Sequence, residues 1–409
     1  MIISKDIYII QGNQFVLAYN YFLNKACFIS KDLYYKYFID NSKLDEVKLV
    51  FSKNEISYLI NNGILIEDIN VYSKLSFEKQ INNRNTTLKL KTVYLHVTQL
   101  CNLRCEYCYN KDNLKYKEKA LSTNDLFTII DKLSDIMIDR IIITGGEPLL
   151  RDDIIEIIDY INFKKIKCEI LTNGVFLNKL FLHFEKVDSI IVSLDTISQQ
   201  ENQRRGLEIQ ALITTLKQVP MKYRKKISIR SVISKYNPKG WQAVKKFTEQ
   251  EGFNFLSSIL LPNDNSDIKN MPLIKDIDLE NTSLDFSGNI CGACYREIAI
   301  DSNGDIYPCQ SLIIKTYRIA NILNNSNWYE MLNQSFITNT FRNATINNIV
   351  ECSDCKIKYL CGGGCRAIPI KIEGNAFLKA KAICKYQKSI VNSKLKRLLS
   401  DFEYKHCHE

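Results

Sequence analysis

Glycine is scarce in this chain, 15 of 409 residues, against the roughly 7% of an average protein. Internal repeats and low-complexity tracts are also missing, which excludes a repeat array. No window approaches the ~18 uninterrupted apolar residues of a membrane-spanning helix. The opening MIISKDIYII has neither a basic segment leading into a sufficient apolar run nor a small-residue cleavage site, so no secretion signal is read and the cytoplasm is the expected compartment. No Ser-His-Asp or paired-carboxylate constellation emerges, and hydrolysis has no support. Disorder is excluded too, because 45% apolar and 24% charged residues are ordinary globular values. A chain this long suggests two or three domains with a sizeable core.

Cysteine, by contrast, is abundant. In a long chain without a signal, 14 cysteines read as metal or redox ligands rather than disulfides. Eleven fall in tight groups at 101–108, 291–309 and 352–384, and only Cys27, Cys168 and Cys407 stand alone. Nine of the 15 glycines lie in or beside functional segments, which concentrates backbone freedom where chemistry is suspected. The balance of 55 basic against 45 acidic residues, +10, is a weak pointer to nucleic acid or an acidic peptide. Its densest run, Lys222 to Lys226, reads as a solvated turn, so neither nucleic acid nor membrane is an expected partner.

Residues 1–75 outline a small winged-helix-like module, with strand-like IYII and FVLAYNYF, helical patterns around 31–39 and 53–62, and Asn62-Gly63 closing the second helix before a short strand. Residues 76–91 are polar and aperiodic, a linker. From Thr92 an alternation of strands and helices begins, with apolar runs at 93–97, 140–144, 166–172, 189–194, 227–233 and 255–261. Six such strands imply an α/β fold with a parallel sheet, either an incomplete barrel or a doubly wound sheet. In both, ligands sit at the C-terminal strand ends. The stretch 262–290 is an irregular bridge, 291–384 is cysteine-rich, and 385–409 is a basic amphipathic helix with a tail.

The first strand runs directly into HVTQLCNLRCEYCYN, which spaces Cys101, Cys105 and Cys108 as C-x3-C-x2-C. A closed structural zinc site wants four ligands, whereas a [4Fe-4S] cubane held by three keeps one iron open. The spacing favours the open cluster. Downstream, strand ends carry Gly145-Gly146-Glu147-Pro148, Thr172-Asn173-Gly174, and Ser193 with Asp195. Exposed glycines admit a ligand to the backbone, and a carboxylate after a strand suits ribose hydroxyls.

Together these residues resemble the radical S-adenosylmethionine (SAM) superfamily, whose motif C-x3-C-x-aromatic-C has Tyr107 as its aromatic here. The resemblance covers about 92–261 and implies a partial (β/α)6 barrel. It also implies that Cys101, Cys105 and Cys108 hold a cluster whose open iron takes the amino and carboxylate groups of SAM. Gly145, Gly146 and Glu147 would then serve the methionine amino end, with Asn173 on the same strand-end wall, and Ser193, Asp195 and Arg205 the ribose and carboxylate side. The segment SLDTISQQENQRRG lacks the histidine-aspartate pair usual before its Arg-Gly, which leaves Arg204 in competition with Arg205.

Residues 291–384 resemble the SPASM extension of peptide- and protein-modifying radical enzymes. Its interleaved wiring implies auxiliary cluster I on Cys291, Cys294, Cys309 and Cys365, and auxiliary cluster II on Cys352, Cys355, Cys361 and Cys384. Three [4Fe-4S] clusters and SAM are therefore the expected cofactors, with a reducing partner such as flavodoxin or ferredoxin. Cys27 and Cys168 read as core, Cys407 as part of a disordered tail, and His96 as a packed or supporting residue. The architecture most resembles sactipeptide- or ranthipeptide-type maturases, which join a cysteine sulfur to a peptide carbon, with a leader-bearing precursor peptide as partner and the N-terminal module as its reader. Carbon-carbon or carbon-oxygen crosslinking, formylglycine maturation of a sulfatase, and a winged-helix redox regulator are the alternatives.

Overall fold

Six apolar runs become six parallel strands in the computed structural model, which describes residues 1–39, 44–74, 77, 89–114, 121–279 and 291–407. They are β6 (Thr92–Thr98), β7 (Arg140–Gly145), β8 (Lys167–Thr172), β9 (Ser189–Ser193), β10 (Ile227–Ile233) and β11 (Asn254–Ile259). Their order in the sheet is the chain order, each strand parallel to the last. A doubly wound sheet reverses its strand order at a switch point; β6 to β11 show no such reversal, so the incomplete barrel is the observed architecture.

The helices between these strands form because their apolar residues recur at helical spacing. In Thr123–Asp135, Leu126, Ile129, Ile130 and Leu133 are buried on one face, and Ser122 with Asp125 closes a reciprocal capping box at the N-terminus. Their partners are the outward strand residues Val93, Leu95, Val97, Ile141 and Ile143, all in one core. Each such side chain taken fully from water contributes about 1.5–3 kcal/mol. Cys168 belongs to this core with no exposed surface, as expected.

The N-terminal 74 residues hold β1 (Ile2–Ile3), the antiparallel sheet β2 (Ile7–Gln11), β3 (Phe15–Asn20) and β4 (Lys25–Ser30), helices Lys31–Tyr37, Leu44–Val50, Lys53–Asn61 and Ile69–Lys74, and β5 (Leu65–Ile66), which pairs with β1. The helix 53–61 ends at Asn62, and Gly63 follows with φ +71°, as the Asn-Gly pair foretells. Val16 and Ala18 of β3 face the module's helices together with the buried Cys27. Leu17 and Tyr19 point the other way, against the C-terminal helix Lys381–Cys407.

That helix begins before the expected residue 385 and continues through Cys407, where a disordered tail was expected. Its far end is held by Phe402, stacked on Phe28 at 3.9 Å, and by Glu403, whose carboxylate accepts from the backbone of Gln14 and Phe15 at 2.8 and 3.0 Å. The expected linker falls largely on residues outside the described ones. At its ends, however, Phe77 is buried beside Tyr359, and the Lys89 amide donates to the Tyr295 carbonyl. In the expected bridge, described to residue 279, 265–270 and 274–276 form short 3-10 turns.

Three further strands carry the cysteine-rich region: β12 (Glu297–Ile300), β13 (Asp305–Tyr307) and β14 (Ala320–Asn321). β12 runs parallel to β6, pairing Glu297 to Ile300 with Thr92 to Leu95, so one nine-stranded sheet joins the barrel to the region beyond it. The basic run at 222–226 departs from the expected solvated turn. Met221–Arg224 is a short helix in which Arg224 is buried, bonded to the Val219 and Lys217 carbonyls and to the Glu251 carboxylate, where it ties two helix ends together.

Candidate active site

The C-terminal ends of the barrel strands enclose a cavity of about 380 Å³, lined by Cys101, Cys105 and Cys108 together with Tyr107, Gly145, Gly146, Glu147, Asn173, Ser193 and Arg205. Residues spread over 105 positions of sequence thus share one wall, and Cys365 reaches it from the far cysteine group. Asp195 does not line the cavity.

The cysteine loop is shaped by β6, where a bulge between His96 and Thr98 shifts the register against β7 and re-aims the chain. Gly145 and Gly146 make its close approach feasible. A Cβ on Gly146 would lie 2.0 Å from the Leu100 carbonyl oxygen, and one on Gly145 2.1 Å from that of Thr98. The Gly146 amide donates to the Thr98 carbonyl at 2.8 Å and the Glu147 amide to that of Leu100 at 2.7 Å. Backbone amides also point at sulfur, Leu103 at Cys101 and Asn110 at Cys108, each at 3.4 Å. Burial pushes all three thiols up, Cys105 to about 11. Thiols this shielded ionise when a cation binds them, so the donor set fits an iron-sulfur cluster.

Glu147 is fully buried, and its carboxylate accepts from the Thr172 hydroxyl (2.7 Å), the Asn173 amide (2.8 Å) and the Leu149 amide (3.0 Å). Burial raises its pKa and these bonds oppose the rise. It therefore braces the ends of β7 and β8. The Asn173 side chain donates to Asn102 within the cysteine loop at 2.8 Å.

The two arginines separate cleanly. Arg205 is 7% exposed, its Nη1 lies 3.1 Å from the Asp195 carboxylate, and its Nε is buried without a partner. Burial would lower its pKa, but Asp195 and Tyr107 hold it raised. Arg204 turns outward to Glu106 at 3.0 Å and lies over the Tyr236 ring at 3.5 Å. Asp195 is spent on a buried network, accepting from the Tyr107 hydroxyl, from Arg205 and from the Val232 amide at 2.9 Å. The unpartnered Nε is a donor suited to a ligand carboxylate. His96 is buried in the barrel against Tyr109, its ring nitrogens unbonded and its pKa lowered by burial to about 3; it is a packed residue.

The remaining eight cysteines divide in space. Cys291, Cys294, Cys309 and Cys365 share one buried cluster of side chains. Cys352, Cys355, Cys361 and Cys384 line a second cavity of about 250 Å³. Among the described residues no three Cys, His, Asp or Glu side chains converge on a single ion position. Between the two groups lies Arg366, 1% exposed and bonded to the carbonyls of Gly363, Gly364, Ala376 and Leu378.

Sequence reading missed Arg366, and also Arg230, Gln310 and Lys371 on the cavity wall. Arg230 was within reach, because the alternation in ISIRSVI puts Ser228, Arg230 and Val232 on the inward face of β10. Gln310 has a buried, unpartnered Oε1 and also lines an adjoining cavity of about 900 Å³. Nothing in its local sequence signals this.

A family model for the Radical SAM superfamily matches residues 95–240. This chain contains a radical SAM domain. An iron-sulfur cluster-binding domain, SPASM, matches residues 291–356, so in the chain the radical SAM match is followed by a SPASM match. The radical SAM part is 33% identical over 156 residues to a GTP 3',8-cyclase of Lactiplantibacillus plantarum, covering 35% of this chain and 46% of that protein, less than half its length. A cysteine-type anaerobic sulfatase-maturating enzyme of Clostridium novyi is 25% identical over 322 residues, 65% of this chain and 85% of that protein. In structure, the radical SAM–SPASM chain superposes on Streptococcus suis SuiB bound to precursor peptide SuiA with a TM-score of 0.59 at 18% identity, covering 94% of this chain and 99% of that one. Among the described residues no helix is long and apolar enough to cross a membrane.

Proposed function

We propose that this protein is a radical SAM peptide maturase that abstracts hydrogen from a ribosomally made peptide and joins a cysteine sulfur to a peptide carbon. The carrying observation is that Cys365 of the cysteine-rich region lines the same cavity as Cys101, Cys105 and Cys108, which supports an electron acceptor next to the site where a substrate radical would form. When bound and reduced, SAM on the open iron supplies a 5'-deoxyadenosyl radical. Cys101, Cys105 and Cys108 hold that cluster, Arg205 Nε and Ser193 receive the carboxylate side, and Gly145, Gly146 and Glu147 shape the amino end. Cys291, Cys309 and Cys365, closed by Cys294, hold the first auxiliary cluster, and Cys352, Cys355, Cys361 and Cys384 the second. In forming the thioether the carbon's hydrogen atom would pass to the 5'-deoxyadenosyl radical, giving 5'-deoxyadenosine, the thiol's hydrogen would leave as a proton, and one electron would remain for an auxiliary cluster to accept.

The match to SuiB extends over 94% of the chain, including the N-terminal module, whereas the sulfatase-maturating relative matches 65%. This supports a leader-bearing peptide over a sulfatase as substrate. Where a short cysteine-containing peptide is encoded beside the gene, anaerobic co-expression with it should give a product lighter by two hydrogens, with one thiol fewer to alkylate. A formylglycine product, or a mass loss that leaves every thiol free, would redirect the assignment to one of the alternatives.

Cys294 adds a second test. It is fully buried, has φ +54°, and its thiol, raised by burial to about 12, bonds with Thr338. A left-handed conformation costs a residue with a Cβ about 1–2 kcal/mol that glycine escapes, so Cys294→Gly should fold at least as well as the parent. It should also open the first auxiliary cluster, so that added cysteine-containing peptide changes that cluster's paramagnetic signal in the variant and not in the parent. A thiol-dependent change in the parent, with Cys294 alkylated while the cluster is intact, would refute closure.

A further inference from the structure

The four cysteines of the second auxiliary site share a property unrelated to the radical cavity. Each lies on an element that touches the N-terminal module or the chain leaving it. Cys355 packs against the cluster in which Ile10, Leu17 and Tyr19 of the module meet Ile357, Leu360, Val391, Leu395 and Leu399. Cys352 is buried with Phe77, three residues past the module, and with Tyr359, whose ring lies 5.1 Å from that of Phe77. Cys361 ends the short helix Lys358–Cys361, which carries Leu360 into the same interface. Cys384 sits in the first turn of the C-terminal helix, which then runs about 28 Å to Glu403 and Phe402 on the turn between β2 and β3 and on β4.

The segments bearing these cysteines are poor at holding themselves. The stretch from Val350 to Gly364 consists of one-turn helices and three successive left-handed glycines, Gly362, Gly363 and Gly364, and helices this short are unstable without tertiary partners. What fixes Ile357, Leu360 and Tyr359 as a platform is therefore whatever draws Cys352, Cys355 and Cys361 together with Cys384. A metal centre that binds four thiolates from separate segments contributes its binding energy to the fold that assembles them.

We propose that the Cys352–Cys355–Cys361–Cys384 site is a metal-dependent anchor for the N-terminal module: loading it assembles the platform on which β2 and β3 dock and fixes the C-terminal helix that clasps their far side. The proposal rests on the assignment of an iron-sulfur cluster to these four residues and not on the thioether chemistry. It gives this cluster a task distinct from electron transfer, namely holding a peptide-reading module in register with the barrel.

The test is hydrogen exchange on the anaerobically reconstituted full chain, with iron measured on the same samples. In Cys384→Ala, iron should fall by about one cubane, four irons, and the amides of β3 and of residues 391–399 should exchange about tenfold faster. The barrel strands β7 and β9 should keep their protection. Phe402→Ala, which loosens only the distal clasp, should speed β3 exchange with all iron retained. In Cys384→Ala, unchanged β3 protection despite the lost iron overturns the anchor, as does release of the module with no iron lost, or equal loss of protection in the barrel strands. A failed thioether assay with these exchange results intact would count against the proposed reaction and leave the anchor standing.

Discussion

Replacing Cys101, Cys105 and Cys108 together by alanine is expected to abolish 5'-deoxyadenosine formation and to remove about four of some twelve irons from the reconstituted protein. The effect should be complete because nothing else in the cavity substitutes for these thiols. His96 is buried with its pKa lowered to about 3, Glu147 spends its oxygens on strand-end donors, and Cys365 faces the cavity from a different buried group. The fold should survive, since the barrel core is built from strand and helix residues and the loop contributes only Leu103 and the edges of Cys101 and Cys105. Iron analysis and product chromatography decide it. Deoxyadenosine from the triple variant would sink the reading of the cavity as a radical SAM site.

A second large effect is expected at Arg205. Arg205→Met keeps the length of the side chain but leaves Asp195 buried with no cation, and breaking a buried pair from one side costs about 3–5 kcal/mol. Chemical denaturation should show that loss, and SAM binding, followed by equilibrium dialysis, should weaken by at least about a hundredfold, the equivalent of some 3 kcal/mol. Asp195→Asn in the same background removes the stranded charge and should restore stability without restoring binding. That split separates the two roles of the arginine, as counter-ion and as donor to the ligand. Arg204→Met, by contrast, breaks an outward contact with a half-exposed Glu106 and should cost under about 1 kcal/mol. An Arg205→Met protein that binds SAM normally would refute the placement.

Much of the barrel was legible because strands buried on both faces read as continuous apolar runs. All six segments from VYLHV to FLSSILL became strands within two residues of their expected limits. What the runs do not carry is sheet order, so barrel and doubly wound sheet stayed equivalent until the pairing was seen. The short strands β12 to β14 were illegible for a related reason. EIAI and DIY are four and three residues long, and β12 is a strand because β6, some two hundred positions earlier, offers it an edge. In the module, β4 was missed because KACFIS mixes a lysine and small residues into its period. At the site, cysteine spacing located the groups and their neighbours, while Arg366 and Gln310 become notable only through burial and unmet hydrogen bonding, which no local pattern encodes.

The pairing of β12 with β6 bears on how the chain is made. β6 is the first barrel strand to emerge during synthesis, and among the described residues one of its edges is paired by residues 297–300. About two hundred residues must be translated before that partner exists, which at roughly 5–20 residues per second leaves the edge open for some ten to forty seconds. An open parallel edge is a template for pairing with other chains, and the late contact is of the long-range kind that slows folding. Production of this protein should therefore be limited by aggregation of incomplete chains. A truncation ending before residue 297 should be less tractable than the whole.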